Sequence, residues 1–166
     1  MHVKKSAKVN QEGSNKGLMR PSDGFWKLLT ALEQDLPLTE DKLQFHLQLV
    51  FKSERDGSRR KVLVSTSVAA NAYGVALSSV RFHPGVAESQ GDLLLEMAAS
   101  GIQQDALENH FPDGSWSPPS PPGYGPRDAG PVYSVNRQWG RFFFAFVSGE
   151  LRRVSFDFGG HGSPGI

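Results

Sequence analysis

The sequence predicts an α+β protein: a two-layer sandwich in which two helical segments lie on one face of a mainly antiparallel sheet. Its 166 residues, 38% of them hydrophobic, are enough for one domain with a buried core. Apolar residues recur at helical spacing in some stretches and alternate with polar residues in others. The turns between successive strands are short, which favours antiparallel pairing. The predicted order of elements is α-βββ-α-βββ.

Three segments divide the chain. We expect a disordered basic tail over residues 1–21, a single α+β domain over residues 22–158, and a flexible end over residues 159–166. The tail holds five lysine or arginine residues against a single glutamate. It lacks the dense clustering and the interleaved aromatic residues of an arm that binds nucleic acid or anionic lipid.

Two stretches are predicted to be helical. Ser22 or Asp23 can cap a first helix, and Pro37 ends it. Between them an apolar stripe has the spacing i, i+3, i+4, i+7 and i+11: Phe25, Leu28, Leu29, Leu32 and Leu36. The second helical stretch runs over residues 92–111, where Ser100 and Gly101 interrupt it.

Strands are predicted on both sides of the second helical stretch. Alternation of apolar and polar residues indicates the first of them, over residues 43–51, with His46 on its polar side. Asp56-Gly57 predicts a hairpin turn before the return strand. The remaining strands are predicted over residues 61–67, 73–83, 132–137, 141–148 and 151–158.

A proline-rich loop over residues 112–131 holds seven of the eleven prolines. A loop of this length inside a domain is usually functional or disordered, and its prolines favour an extended, semi-rigid chain. It carries Trp116, Tyr124 and Arg127, which are residue types enriched at protein interfaces. Its P-x-x-P pattern would also suit an SH3-type groove.

Aromatic residues crowd the last strands. The run Phe142-Phe143-Phe144 must place rings on both faces of the sheet, and Trp139 lies nearby. The helices can cover one face, and the proline-rich loop is the nearest candidate to cover the other. We therefore expect Trp116 or Tyr124 to contact the C-terminal strands. A protein partner, a second copy of the chain or a small apolar ligand would be the alternative cover.

Charge and composition argue against several classes of protein. The formal net charge is +1, so no strong bulk field points to nucleic acid. The absence of cysteine excludes disulfides and thiolate metal sites, and it suits a reducing compartment. No stretch approaches the length of a membrane span, and no secretory signal is visible, so we expect a soluble, cytoplasmic protein. No histidine pair has metal-ligand spacing, and we expect neither a metal nor a cofactor.

Signs of catalysis are weak. His110 and Asp113 are candidates for a base and its orienting carboxylate, but no nucleophile motif accompanies them. The sequence therefore favours a non-catalytic protein that binds another protein. A bacterial immunity- or inhibitor-type protein that binds a toxin is one form of this role. The alternatives are a small enzyme that uses the His/Asp pair, or a carrier of a small apolar ligand held between sheet and helices. The candidate binding residues are Trp116, Tyr124, Arg127, Trp139 and Phe143.

Overall fold

The computed structural model describes residues 21–55, 57, 60–66, 71–117 and 130–159. These residues form three helices and eight strands. The helices are α1 (Pro21–Gln34), α2 (Glu40–Leu47) and α3 (Gln104–His110). The strands are β1 (Lys52–Arg55), β2 (Lys61–Ser65), β3 (Leu77–Pro84), β4 (Gly91–Met97), β5 (Ser115–Ser117), β6 (Val132–Arg137), β7 (Gly140–Val147) and β8 (Glu150–Phe158).

One sheet contains all eight strands, in the order β1-β2-β3-β4-β8-β7-β6-β5. Every neighbouring pair is antiparallel. The sheet thus consists of two four-stranded meanders, β1 to β4 and β5 to β8, joined where β4 pairs with β8. The predicted α+β class with an antiparallel sheet is confirmed.

Alternation of burial along β4, β6, β7 and β8 divides the sheet into a core face and a second face, whereas β1 is exposed throughout and residues 62–65 of β2 are all buried. On β7, Phe142 and Phe144 are fully buried, whereas Phe143 between them is half-buried. The core face carries these buried residues, and the second face carries Phe143 and the residues that share its side. One hydrophobic cluster joins the core face to residues of all three helices, among them Phe25, Leu43 and Leu107.

The predicted first helix and the three C-terminal strands agree with the structure. Helix α1 buries the first four residues of its apolar stripe, while Leu36 lies beyond its end and is partly buried, and β6, β7 and β8 lie within a residue of their predicted bounds. Alternation in β8 places Val154, Phe156 and Phe158 on the core face, as predicted. These segments have a strong periodicity that packing reinforces.

The strand predicted over residues 43–51 is wrong, because most of this stretch is helix α2. Leu43, His46 and Leu47 are the buried residues of the helix, at spacing i, i+3 and i+4, while Phe45 is 78% exposed. The Thr39 hydroxyl accepts a hydrogen bond from the Lys42 backbone N–H at 3.3 Å, which caps the first turn. His46 is therefore buried, contrary to the expectation that it faces solvent.

The helix predicted over residues 92–111 is wrong in its first half. Residues 91–97 form β4, and only residues 104–110 are helical. Leu93, Leu95 and Met97 are buried, while Leu94 and Glu96 between them are less so. A strand held between β3 and β8 is covered strongly enough to override the helical preference of leucine, methionine and glutamate.

The predicted order α-βββ-α-βββ is consequently replaced by α-α-ββββ-α-ββββ among the described residues. The fourth strand of the second half is β5, which lies inside the segment predicted to be a loop and pairs with β6. The rest of that loop over residues 118–129, including its P-x-x-P pattern, lies outside the described residues. So do residues 1–20 and 160–166 of the two predicted tails.

Candidate functional site

A groove of about 650 Å³ lies on the second face, where β3 turns into β4 and β8 ends. Its volume is within the range of about 300–1,000 Å³ that is typical of binding sites. Strands β2, β3, β4, β8 and β7 all contribute to its lining. The side chains of greatest chemical interest in it are His83, Val86, Asp92, Phe143, Ser155 and Asp157.

A row of ionisable residues crosses the sheet at the groove. In the strand register His83 lies opposite Asp92, Asp92 lies opposite Asp157, and Asp157 lies opposite Arg141. Residues that are directly opposite in an antiparallel pair share a face, with Cβ atoms about 4.5–5.5 Å apart. Two neighbouring carboxylates would repel one another. Here the row places His83 beside Asp92 and Arg141 beside Asp157.

An apolar row runs beside the ionisable one. Phe143 lies opposite Ser155, and Ser155 lies opposite Leu94. Phe143 and Leu94 are half-buried. The Arg141 guanidinium lies 5.4 Å from the centroid of the Phe143 ring, within cation–π distance. The second face therefore combines an aromatic surface with charges of both signs.

The turn between β3 and β4 projects at the rim of the groove. Hydrogen bonds of 3.0 Å from Gly85 N to Gln90 O and from Gln90 N to Ala87 O hold it closed. Val86 in this turn is fully exposed. A second concavity of about 170 Å³ is also lined by Gly85 and Gln90, together with Leu38 beyond α1. The turn thus borders two concavities.

The groove offers an acid–base pair without an activated nucleophile. His83 and Asp92 are cross-strand neighbours. Ser155 lies on β8, which β4 separates from β3, and two strand spacings amount to roughly 10 Å. A nucleophile has to lie within hydrogen-bonding distance of its base. Among the residues that the structure describes, no group of three or more histidine, aspartate or glutamate side chains could hold a metal ion.

The structure places the predicted His110/Asp113 pair differently. The His110 ring stacks on Trp26 with centroids 4.0 Å apart and planes 7° apart, and it meets the edge of Phe111. Burial, and then the nearby Arg137 charge, lower the pKa of His110 below its ordinary value. Asp113 is exposed in the turn after α3. Within the described part of the chain no hydrogen bond joins their side chains.

Trp139, a predicted binding residue, is engaged inside the molecule. Its Nε1 donates a hydrogen bond of 2.7 Å to Glu33 of α1. Its ring meets Phe142 edge-on at 4.9 Å and stacks with Phe156 at 5.9 Å, both on the core face. Arg137 forms an ion pair with the same Glu33 at 2.9 Å. Together these contacts fasten α1 to the β6–β7 hairpin.

Trp116 contacts the C-terminal strands, as predicted. Its ring centroid lies 4.7 Å from that of Tyr133 and 5.5 Å from that of Phe146. Both partners belong to the hydrophobic core, so Trp116 packs on the core face and not over Phe143. Tyr124 and Arg127 lie outside the described residues. Of the predicted binding residues that are described, Phe143 is the one that lines the groove.

Sequence reasoning missed most of the groove. Asp92 fell in the stretch predicted to be a helix, and His83, the last residue of its predicted strand, was not singled out as a site residue. The outward alternation of Ser155 and Asp157 in β8 was visible, but the register that places Asp157 opposite Asp92 was not. No short-range pattern marks residues 65 positions apart as neighbours.

Comparisons with known proteins add no relative. No protein-family model, curated protein sequence or solved structure matches the chain. In the described part of the chain, none of the helices has the length and hydrophobicity needed to span a membrane.

Proposed function

We propose that this chain is a non-catalytic protein that binds another protein through the second face of its sheet. The observation that carries the proposal is the groove, with the half-buried Phe143 in its lining and the fully exposed Val86 at its rim. Protein interfaces typically place a few apolar or aromatic anchors inside a polar rim. His83, Asp92 and Asp157 would supply that polar surround.

The proposal includes a two-layer arrangement. The helices would cover the core face and leave the second face for the partner. Two observations support it: residues of all three helices share one cluster with the core face, and Leu94 and Phe143 on the other face are only half-buried. A surface built on paired strands is already ordered, so binding costs little conformational entropy.

We further propose that the partner is an enzyme that this chain inhibits, in the manner of a cytoplasmic immunity protein that binds a toxin. A rigid surface with a projecting turn beside a groove suits an inhibitor, because inhibitors of enzymes bind with little rearrangement. The turn that carries Val86 would be the projecting part. A second copy of the chain is the competing partner, and the oligomeric state in solution distinguishes the two.

Two exposed valines provide the test. Val86 borders the groove, whereas Val50, which is 80% exposed, lies between α2 and β1. The tagged chain and its Val86→Asp and Val50→Asp variants would be recovered from their native cells, and the bound proteins would be quantified. We expect a stoichiometric partner with the wild type and with Val50→Asp, and at least a tenfold loss with Val86→Asp, about 1.4 kcal/mol of binding. Equal recovery by all three, or no partner with any, would contradict the proposal.

A small enzyme is the second candidate, and one observation favours it: His83 lies opposite Asp92 inside the groove. A histidine beside a carboxylate can act as a general base. The chain would be assayed against panels of esters, amides, phosphates and glycosides. Turnover that falls about a hundredfold or more in His83→Gln would establish this candidate. Turnover that is unchanged in His83→Gln, or none at all, would reject it.

The carrier hypothesis places an apolar ligand between sheet and helices. Aromatic rings occupy that region: Phe142 lies 5.6 Å from Phe111, 5.4 Å from Phe144 and 4.7 Å from Phe156, centroid to centroid. The groove on the second face, whose lining is partly charged, is therefore the better candidate for any ligand.

A further inference from the structure

The charges that line the groove are separated by sign across the sheet. Arg60 directly precedes β2, Lys61 begins it, and His83 lies on the neighbouring β3. The carboxylates Asp92 and Asp157 lie on β4 and β8, further along the same row of strands. One side of the groove is therefore basic and its middle is acidic.

The groove's apolar surface continues in the same direction. Phe143 lies on β7, the strand beyond β8. A ligand that crosses the strands would meet the basic side first, then the two carboxylates, and finally Phe143, which lies in the neighbouring row beneath the Arg141 guanidinium. The sequence of chemistries along this path is fixed by the strand order.

We propose that the groove binds an extended segment of a partner protein in which an acidic, a basic and an apolar side chain follow one another. This inference rests on the proposed function and specifies the partner's chemistry. Nucleic acid is disfavoured, because the carboxylates of Asp92 and Asp157 would repel phosphates at the middle of the groove. A lipid surface is disfavoured because the same carboxylates would lose their hydration against it.

Strand spacing sets the separation of the partner's side chains. The basic side, over β2 and β3, lies two strand spacings from the acidic middle over β4 and β8, which is roughly 10 Å. An extended segment advances about 3.3 Å per residue, so the acidic and basic residues should be about three positions apart. Phe143 on β7 lies one and a half spacings across and two residues along the strands from the acidic middle, together roughly 10 Å, or about three positions more.

A phage-displayed library of random dodecapeptides, panned on the folded chain, tests this assignment. Lys61→Glu removes a cation from the basic side of the groove. Lys52→Glu is the matched control, because Lys52 is an exposed lysine on β1 that does not line the groove. Both lysines are exposed, so neither change should disturb folding.

We expect peptides enriched on the wild type to carry an acidic, a basic and an apolar residue in that order, in either chain direction. Enrichment on Lys52→Glu should be the same. On Lys61→Glu the acidic residue should be enriched less while the basic one remains, because Arg60 and His83 are still present, and the best wild-type peptide should bind roughly threefold more weakly, as for an exposed ion pair.

Three results would overturn the inference: enriched peptides of one charge sign, a preference that Lys61→Glu leaves unchanged, or no enrichment. The proposed function fails separately. If the natural partner is lost with Val86→Asp but the peptides show no such pattern, the chain binds a protein through this surface and only its chemistry has been assigned wrongly.

Discussion

Replacing Glu33 with alanine should loosen helix α1 from the sheet. The Glu33 carboxylate accepts a hydrogen bond of 2.7 Å from Trp139 Nε1 and forms an ion pair of 2.9 Å with Arg137. Both partners belong to the β6–β7 hairpin region, more than a hundred residues away in sequence. Glu33→Ala removes both contacts together and leaves the indole N–H without its acceptor.

The expected loss of stability follows from these two contacts. A donor left without its partner costs about 1–3 kcal/mol when buried. The ion pair contributes up to about 1 kcal/mol, because the side chains of Arg137 and Glu33 are 33% and 25% exposed and water screens them. Alanine returns a few tenths of a kcal/mol through its higher helix propensity. We expect a net loss of about 2 kcal/mol, which lowers Tm by roughly 4–8 °C in a domain of this size.

Urea unfolding followed by tryptophan fluorescence measures this difference. Glu108→Ala is the matched control, since Glu108 is an exposed glutamate on helix α3, and it should change stability by no more than about 0.5 kcal/mol. Glu33→Gln should fall between the two, because its amide oxygen still accepts from Trp139. A Glu33→Ala variant as stable as Glu108→Ala would refute the reasoning that this carboxylate fastens α1 to the hairpin.

Three further predictions concern single side chains. The hydrogen bond of 2.9 Å from His46 holds the pKa of Asp35 below its ordinary 3.8, so wild type should be more stable than Asp35→Asn at pH 7. Urea unfolding should show this difference shrink as the pH falls below 3.8 and disappear once the folded carboxylate is also protonated, and a difference independent of pH would contradict it. The imidazole of His110 should titrate below 6.5 by NMR, because partial burial of the ring against Trp26 lowers its pKa. The unfolded chain then takes up the proton first, so stability should fall as the pH drops below 6.5. A titration midpoint at or above 6.5 would count against the stacked placement. Phe142→Ala should lower the free energy of unfolding by about 3–5 kcal/mol, because Phe142 is fully buried among other rings. Phe143→Ala should lower it by roughly a third as much, because Phe143 is half-buried. Equal losses in chemical denaturation would contradict the difference in burial between the two faces of β7.

Periodicity predicted those parts of the fold in which a single pattern was present. In β8, Val154, Phe156 and Phe158 alternate with polar residues, and a half-buried strand is the structure that satisfies this alternation. The apolar stripe of α1 was equally clear. Such segments bury one face, so their pattern and their environment agree.

The stretch that became α2 carried two patterns at once. Leu43, Phe45 and Leu47 alternate as in a strand, but Leu43, His46 and Leu47 have helical spacing. The deciding signal was local: Thr39, followed by two acidic residues, is a typical helix start. Giving the cap more weight than the alternation would have predicted the helix.

Strand β4 could not be separated from a helix by its own residues. Leucine, glutamate and methionine favour helices, and Leu93 and Met97 are spaced four apart. Pairing with β3 on one side and β8 on the other makes it a strand, and both partners are distant contacts that no local pattern reveals. The groove inherits this difficulty, because Asp92 and Asp157 meet only through that pairing.

The central claim is that a partner protein contacts the groove side of the molecule, and site-specific photocrosslinking in the native cells tests it most directly. Benzoylphenylalanine would replace Val86 at the groove, Trp116 on β5, or Val50 between α2 and β1. We predict one discrete adduct of defined mass from position 86 and none from positions 116 and 50. An adduct from position 116 or 50 but not from position 86 would contradict the claim, as would the absence of adducts at all three positions.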